Sequence, residues 1–239
     1  MNALALDCGG KSQRLLKQLT EIRKRSGKVR DMDVFTTDAT TLNKDGDEGC
    51  RVQLIEHLGA ERRKKAKKLY RAIAQLGPRV RQDLKRIGRR LEKIVPDTEA
   101  DASITNAKAI AAALDLQAEL STPSRFTWQN IHPYRLRVKE LRNLLRLARN
   151  SKDEDFVAAL GEVKDAIGDW HDWEELQRIA DELLDHSPGC KIKGELKHIC
   201  DEKYTSAVAR AEDMRRKYLS RGRKDPTRAA VVTMKTIAA

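Results

Sequence analysis

Apolar residues recur at steps of three and four along most of the chain, and nowhere alternate with period two over a useful length. Leu15, Leu16, Leu19, Ile22 and Val29 place a helix over 11–35. A polar loop is expected over 36–50, with TTLNKDGDEGC as its turn-rich core. A long helical stretch covers 51–95. Gly77-Pro78 is expected to break it, because proline lacks a backbone donor and disfavours helix at the residue before it. Pro96 and Asp97 stop it. An Ala/Leu helix spans 101–120, and STPSRFTWQN (121–130) reads as a loop. Helices then cover 132–149, 152–186 (with a break expected near Gly168) and 191–220, and residues 223–239 form a loose tail. The predicted fold class is all-α.

The pattern also repeats. Shifted by 141 residues, LTEIRKRSGKVRDMDVF (19–35) falls on LGEVKDAIGDWHDWEEL (160–176). Leu19 meets Leu160, Glu21 meets Glu162, Gly27 meets Gly168 and Asp31 meets Asp172. Without a gap the same register pairs Asn2 with Asn143, Leu4 with Leu145, His57 with His198 and Arg62 with Lys203. Two related helical halves, 1–96 and 131–222, are therefore expected, joined by 97–130. In this register Arg142 falls on Met1, so the first half is expected to lack the counterpart of the helix that begins at His132.

Composition agrees with helices: charged residues make up 35% and aromatics 4%, which is poor material for a β-sandwich. No apolar run approaches a membrane span, and MNALALDCGGKSQR has no basic start or long apolar core. Cysteines at 8, 50, 190 and 200 lack C-x-x-C spacing and suit reduced thiols in a cytoplasm. The net charge of +12 is unevenly spread. His57–Val95 holds 14 Lys/Arg against 3 Asp/Glu, His132–Arg149 holds 6 against 1, and Ser151–Ser187 holds 3 against 12. Such blocks point to a polyanionic partner.

One stretch concentrates this charge. In HPYRLRVKELRNLL, His132, Arg135, Lys139, Arg142 and Arg146 share an arc of about 80° on a helix, beside an apolar face made by Tyr134, Val138, Leu141 and Leu145. Like charges at these spacings repel, and a polyanion laid along them would cancel that repulsion. Arginine binds phosphate in bidentate fashion and lysine acts as a point charge. A solvated basic face is the alternative. A second motif, RSGKVRDMDV, has a degenerate copy in AIGDWHDWEE. Its Asp31 and Asp172 are expected to be structural, capping a helix or holding a basic side chain. A metal held by Asp31 with Asp33, or by His171 with Asp172, is a further alternative. The run Arg62, Arg63, Lys64, Lys65, Lys67, Lys68 surrounds a helix and cannot face one ligand. His186, Cys190, His198 and Cys200 match no common zinc pattern. There is no Walker loop, no G-x-S-x-G and no H-E-x-x-H, so no catalytic set and no metal or cofactor site is assigned.

His132, Arg135, Lys139, Leu141 and Arg142 form H-x-x-R-x-x-x-K-x-L-R. Leu160, Gly161, Gly168 and Asp172 follow downstream, and Gly27, Arg30, Asp31, Asp33 and Val34 form G-x-x-R-D-x-D-V in the first half. Together these resemble the CHAD (conserved histidine α-helical domain) family over roughly 10–220. The resemblance implies two pseudo-symmetric antiparallel helical bundles, the first here without its first helix. It also implies binding of inorganic polyphosphate in a basic cleft or pore between the halves, without catalysis, sometimes at polyphosphate granules. Carried over by motif position, the binding set is His132, Arg135, Lys139 and Arg142. Arg146 extends the stripe, and Arg62 and Lys203 occupy equivalent places in the two halves. Arg30, Asp31 and Asp172 are the structural motif. The alternatives are a nucleic-acid-binding helical protein, and a metal-dependent enzyme acting on polyphosphate.

Overall fold

The computed structural model describes residues 10–42, 47–91, 99–122, 125–147, 154–184 and 190–220. Among these residues six α-helices follow in order: α1 (Gly10–Thr41), α2 (Glu48–Leu91), α3 (Glu99–Ser121), α4 (Trp128–Leu147), α5 (Glu154–Leu183) and α6 (Lys191–Met214). A single π-helical turn, Arg215–Leu219, continues α6. There is no strand among the described residues, and the fold is an all-α helical bundle. Among the described residues no helix is long and apolar enough to cross a membrane. The expected tail (223–239), the stop at Pro96 and Asp97, His186, Cys8 and the first residues of the repeat lie outside the described residues.

Four expected boundaries move, each for a local reason. α1 runs to Thr41, where a loop was expected from residue 36. Its threonine hydroxyls find acceptors inside the helix. The Thr36 hydroxyl donates to the Met32 carbonyl at 2.7 Å, that of Thr37 to Asp33 at 3.0 Å, and that of Thr41 to Asp38 at 2.7 Å. Meanwhile Phe35, Ala39 and Leu42 are buried. α2 continues through Pro78. Only the bond to the Ala74 carbonyl is forfeited, Gly77 has no Cβ to meet the proline ring, and Ala74 and Pro78 are both exposed to water. α4 begins at Trp128, ahead of Pro133, because Thr127 and Asn130 form a reciprocal cap. The Thr127 N–H donates to Asn130 Oδ1 at 2.8 Å, and the Asn130 N–H donates to Thr127 Oγ1 at 3.3 Å. α5 does not break at Gly168; that glycine has a different role, described below.

Helix bounds follow the internal repeat. Shifted by 141 residues, α1 covers 151–182 and α2 begins at 189, against Glu154–Leu183 for α5 and Lys191 for α6. Burial follows it in part. Met32, Phe35 and Ala39 are buried, as are Trp173, Leu176 and Ala180. Leu19 and Ile22 are only half-buried where Leu160 and Val163 are fully so.

The chain gathers into two compact units, 1–103 with 172–201, and 104–171 with 202–239. In the first, Phe35 of α1 and Leu42 just after it, Leu54 and Leu58 of α2, Leu176 of α5 and Leu184 just after it, and Ile192 and Leu196 of α6 build one core. Each such side chain contributes roughly 1.5–3 kcal/mol by leaving water. Asp83 is the one buried charged residue among those described, and it is held by Arg14 at 3.3 Å and by Arg86 one turn away. In the second unit Leu120, Ile131, Val138, Leu141, Leu160 and Ile167 are buried. Trp170, fully buried, meets Trp128 edge-on with ring centroids 5.3 Å apart, and Trp128 stacks on Tyr204 at 4.9 Å.

Candidate functional site

The basic stripe of α4 does not stand out from the fold as a free face. It lies along α5. Arg135 donates its Nε–H to the Lys164 carbonyl at 3.0 Å, and Arg142 donates its Nε–H to the Val157 carbonyl at 3.3 Å. Each guanidinium lies where a side chain would stand if α5 carried one. A Cβ placed on Gly168 would be 2.8 Å from Arg135 Nη2, and one on Gly161 would be 3.1 Å from Arg142 Nε. The two arginines, the two glycines and the two carbonyls are each seven residues apart. Two helices side by side keep that register, because seven residues make nearly two full turns.

This arrangement fixes the arginines. The Nε–H of each is taken by a backbone carbonyl of α5, and Nε and Nη2 both pack against the glycine beside it. Arg135 and Arg142 are half-buried, while Lys139 and Arg146 are exposed and make no ion pair with any described residue. At the start of the row His132 meets His171, with ring centroids 4.4 Å apart and planes tilted by 53°. Of the four cations, Arg135 and Arg142 are thus packing elements, and Lys139 and Arg146 reach into water.

Beside Arg142 an open groove of about 620 Å³ runs between α5 and α6. Its cations are Arg142, Lys203 and Arg210, and its acids are Glu162, Asp165 and Asp169. Lys203 Nζ lies 2.7 Å from Asp169 Oδ2, and Arg210 Nη1 lies 3.8 Å from Glu162 Oε2. The groove is thus charge-balanced, and an entering anion must displace Asp169 or Glu162 from its partner. Both pairs are solvent-exposed, so the displacement is inexpensive, at about 0–1 kcal/mol per pair.

The remaining expected residues lie elsewhere. Arg62 belongs to the first unit and is bound by Asp33 of α1, which holds its guanidinium above the ordinary range through a hydrogen bond and through charge. Arg30 is exposed in the middle of α1 and makes no ion pair with a described residue. Asp31 and Asp172 are half-buried well inside α1 and α5, so neither caps a helix, contrary to one expectation. Sequence reasoning missed His171, Asp169 and Arg210 as neighbours of the row, and missed that Gly161 and Gly168 are seats for arginine. The matching seven-residue spacing was the signal available for the glycines.

Against known proteins, the CHAD domain profile matches residues 5–185. No curated protein and no solved structure matches the chain.

Proposed function

This chain belongs to the CHAD domain family, which is associated with polyphosphate binding, and on that premise we propose that it binds inorganic polyphosphate, without turning it over, along the α4 row and the adjoining groove. The observation that carries this reading is the pair Arg135 and Arg142. Each is oriented by its own backbone acceptor, so its fork needs little further ordering to meet phosphate oxygens. Lys139 and Arg146 add exposed point charges, and Lys203 and Arg210 exchange carboxylate partners for phosphate. The net charge of +12 draws any polyanion toward the molecule, and binding weakens as salt rises. A cytoplasmic setting beside polyphosphate granules fits this reading.

The test is a competition titration of long-chain polyphosphate against DNA and RNA at one ionic strength, with phosphate release followed in Mg²⁺ and Mn²⁺. The expected result is preference for polyphosphate with no release. A preference for nucleic acid, or release that disappears on mutation of His132, overturns the proposal.

A further inference from the structure

Asp47, Cys50 and Cys190 bring one carboxylate oxygen and two sulfurs to within 4.8 Å of one another. Spacing in the sequence gives no sign of this, because Cys50 and Cys190 are 140 residues apart. All three residues lie in the first compact unit. Two helices begin here. Asp47 immediately precedes α2, where its carbonyl accepts the N–H groups of Cys50 at 2.9 Å and Arg51 at 3.2 Å. Its carboxylate reaches the other helix: Oδ2 accepts the N–H of Lys191, the first residue of α6, at 3.3 Å. Cys190 immediately precedes α6, and its carbonyl accepts the Gly194 N–H at 3.2 Å. Both thiols are buried, and Asp47 is exposed, so the cluster is closed on the core side and open toward water.

We infer that Asp47, Cys50 and Cys190 form a binding site for a soft divalent cation, with Zn²⁺ as the type metal. Cys50 and Cys190 bind as thiolates, Asp47 binds through one oxygen, and a water takes the fourth tetrahedral position on the exposed side. Two sulfurs and one oxygen suit zinc; magnesium and calcium demand oxygen ligands that this cluster does not supply. Binding releases two protons, one from each thiol, and forms two metal–sulfur bonds. Charge favours occupancy. Two thiolates and a carboxylate carry three negative charges, a divalent cation leaves one, and that one faces two helix N-termini whose dipoles favour it. The metal would tie the start of α2 to the start of α6, and would do so only in the folded chain.

The full chain, reduced, metal-free and free of polyphosphate, is titrated with Co²⁺ and then with Zn²⁺. One equivalent of Co²⁺ is expected to give thiolate-to-cobalt charge-transfer absorption that Zn²⁺ removes, and Zn²⁺ is expected to raise the melting temperature. Cys50→Ser and Cys190→Ser should each lose much of the charge-transfer intensity, and Cys200→Ser should keep it. Asp47→Ala alters an exposed side chain, so it should fold and keep the absorption; as loss of a direct ligand it should cost at least the roughly tenfold in affinity that loss of an outer-shell partner costs. If the cysteine variants do not fold, the wild-type spectrum and the Asp47 variant decide. Absence of the charge-transfer band in the wild type overturns the inference. So does a band that survives Cys50→Ser, an affinity unchanged by Asp47→Ala, or a Cys50–Cys190 disulfide whose reduction brings no metal uptake.

Discussion

Arg135 and Gly168 fit one another: Nη2 of the arginine lies 2.8 Å and Nε lies 3.2 Å from where a Cβ on the glycine would stand. The equivalent glycine of the first half, Gly27, has nothing within 4 Å of the same position. Alanine is a better helix former than glycine by roughly 0.5–1 kcal/mol. Gly27→Ala should therefore stabilise the protein by about that amount. Gly168→Ala gains the same propensity but displaces Arg135 from the Lys164 carbonyl, a charge-assisted bond worth about 1.5–3 kcal/mol. Its net effect should be a loss of about 1 kcal/mol. Denaturant melts of the two variants should move in opposite directions; a shift of the same sign in both would show that Arg135 is not seated on Gly168.

The all-α fold, the repeat and the order of helices were legible because amphipathic periodicity is a local signal. The exact ends were not. Thr36, Thr37 and Thr41 read as loop residues; the helix continues through them because Phe35, Ala39 and Leu42 are buried, and their hydroxyls are satisfied by carbonyls of the same helix. Gly168 read as a break because helix propensity knows nothing of an arginine on the neighbouring helix. The stripe from His132 to Arg146 was legible as one face of a helix, but what that face meets depends on α5. Lys203 was legible as a cation, and its carboxylate partner Asp169, 34 residues earlier, was not. Cys50 and Cys190 were out of reach for the same reason.

Glu61 makes a pH-dependent contribution near the start of the basic run of α2. Its Oε1 accepts from Lys64 at 2.7 Å, its Oε2 accepts from Lys65 at 3.0 Å, and these hydrogen bonds hold its carboxyl down at about 2, against an ordinary value of 4.5. The folded-state pKa is the lower one, so the stabilisation is fully present above about pH 4.5. It drains away as pH falls toward about 2. Other carboxylates titrate in the same window, so the measurement is a difference. The melting temperature of the wild type minus that of Glu61→Gln should shrink steadily between those two pH values. A difference that stays constant would mean that the two lysines do not hold Glu61 in solution.

Tyr134 presents the opposite case, a polar atom that burial penalises. Its hydroxyl is buried with no hydrogen-bond partner among the described residues, and burial pushes the phenol above its usual range, an effect that Arg215 partly offsets. The ring itself packs well, edge-on to Phe126 with centroids 4.8 Å apart. Tyr134→Phe keeps the ring contact and removes the unpaired hydroxyl. It should stabilise the protein by about 1 kcal/mol, which at this size is a rise of about 2–4 °C in melting temperature. A fall of similar size would reveal an acceptor for that hydroxyl.

The sharpest test of the binding row separates fixed cations from general attraction. Lys139 and Arg146 are exposed and make no ion pair with a described residue, so Lys139→Ala with Arg146→Ala should leave the melting temperature nearly unchanged. If both touch phosphate, the double variant should lower polyphosphate affinity by about tenfold or more at low salt. By analogy with single-stranded nucleic acid it should also flatten the salt dependence by about 0.7 per lost contact. Lys64→Ala with Lys65→Ala removes as much charge from α2, where both lysines serve Glu61, and should change affinity far less. Arg142→Lys keeps the charge but loses the donor to the Val157 carbonyl and the planar fork, so its affinity should fall between those of the wild type and Arg142→Ala. Isothermal titration at two salt concentrations reads all of these. Equal losses from the α4 and α2 pairs would mean that the protein holds polyphosphate by diffuse charge, and the ordered row along α5 would then be a packing device alone.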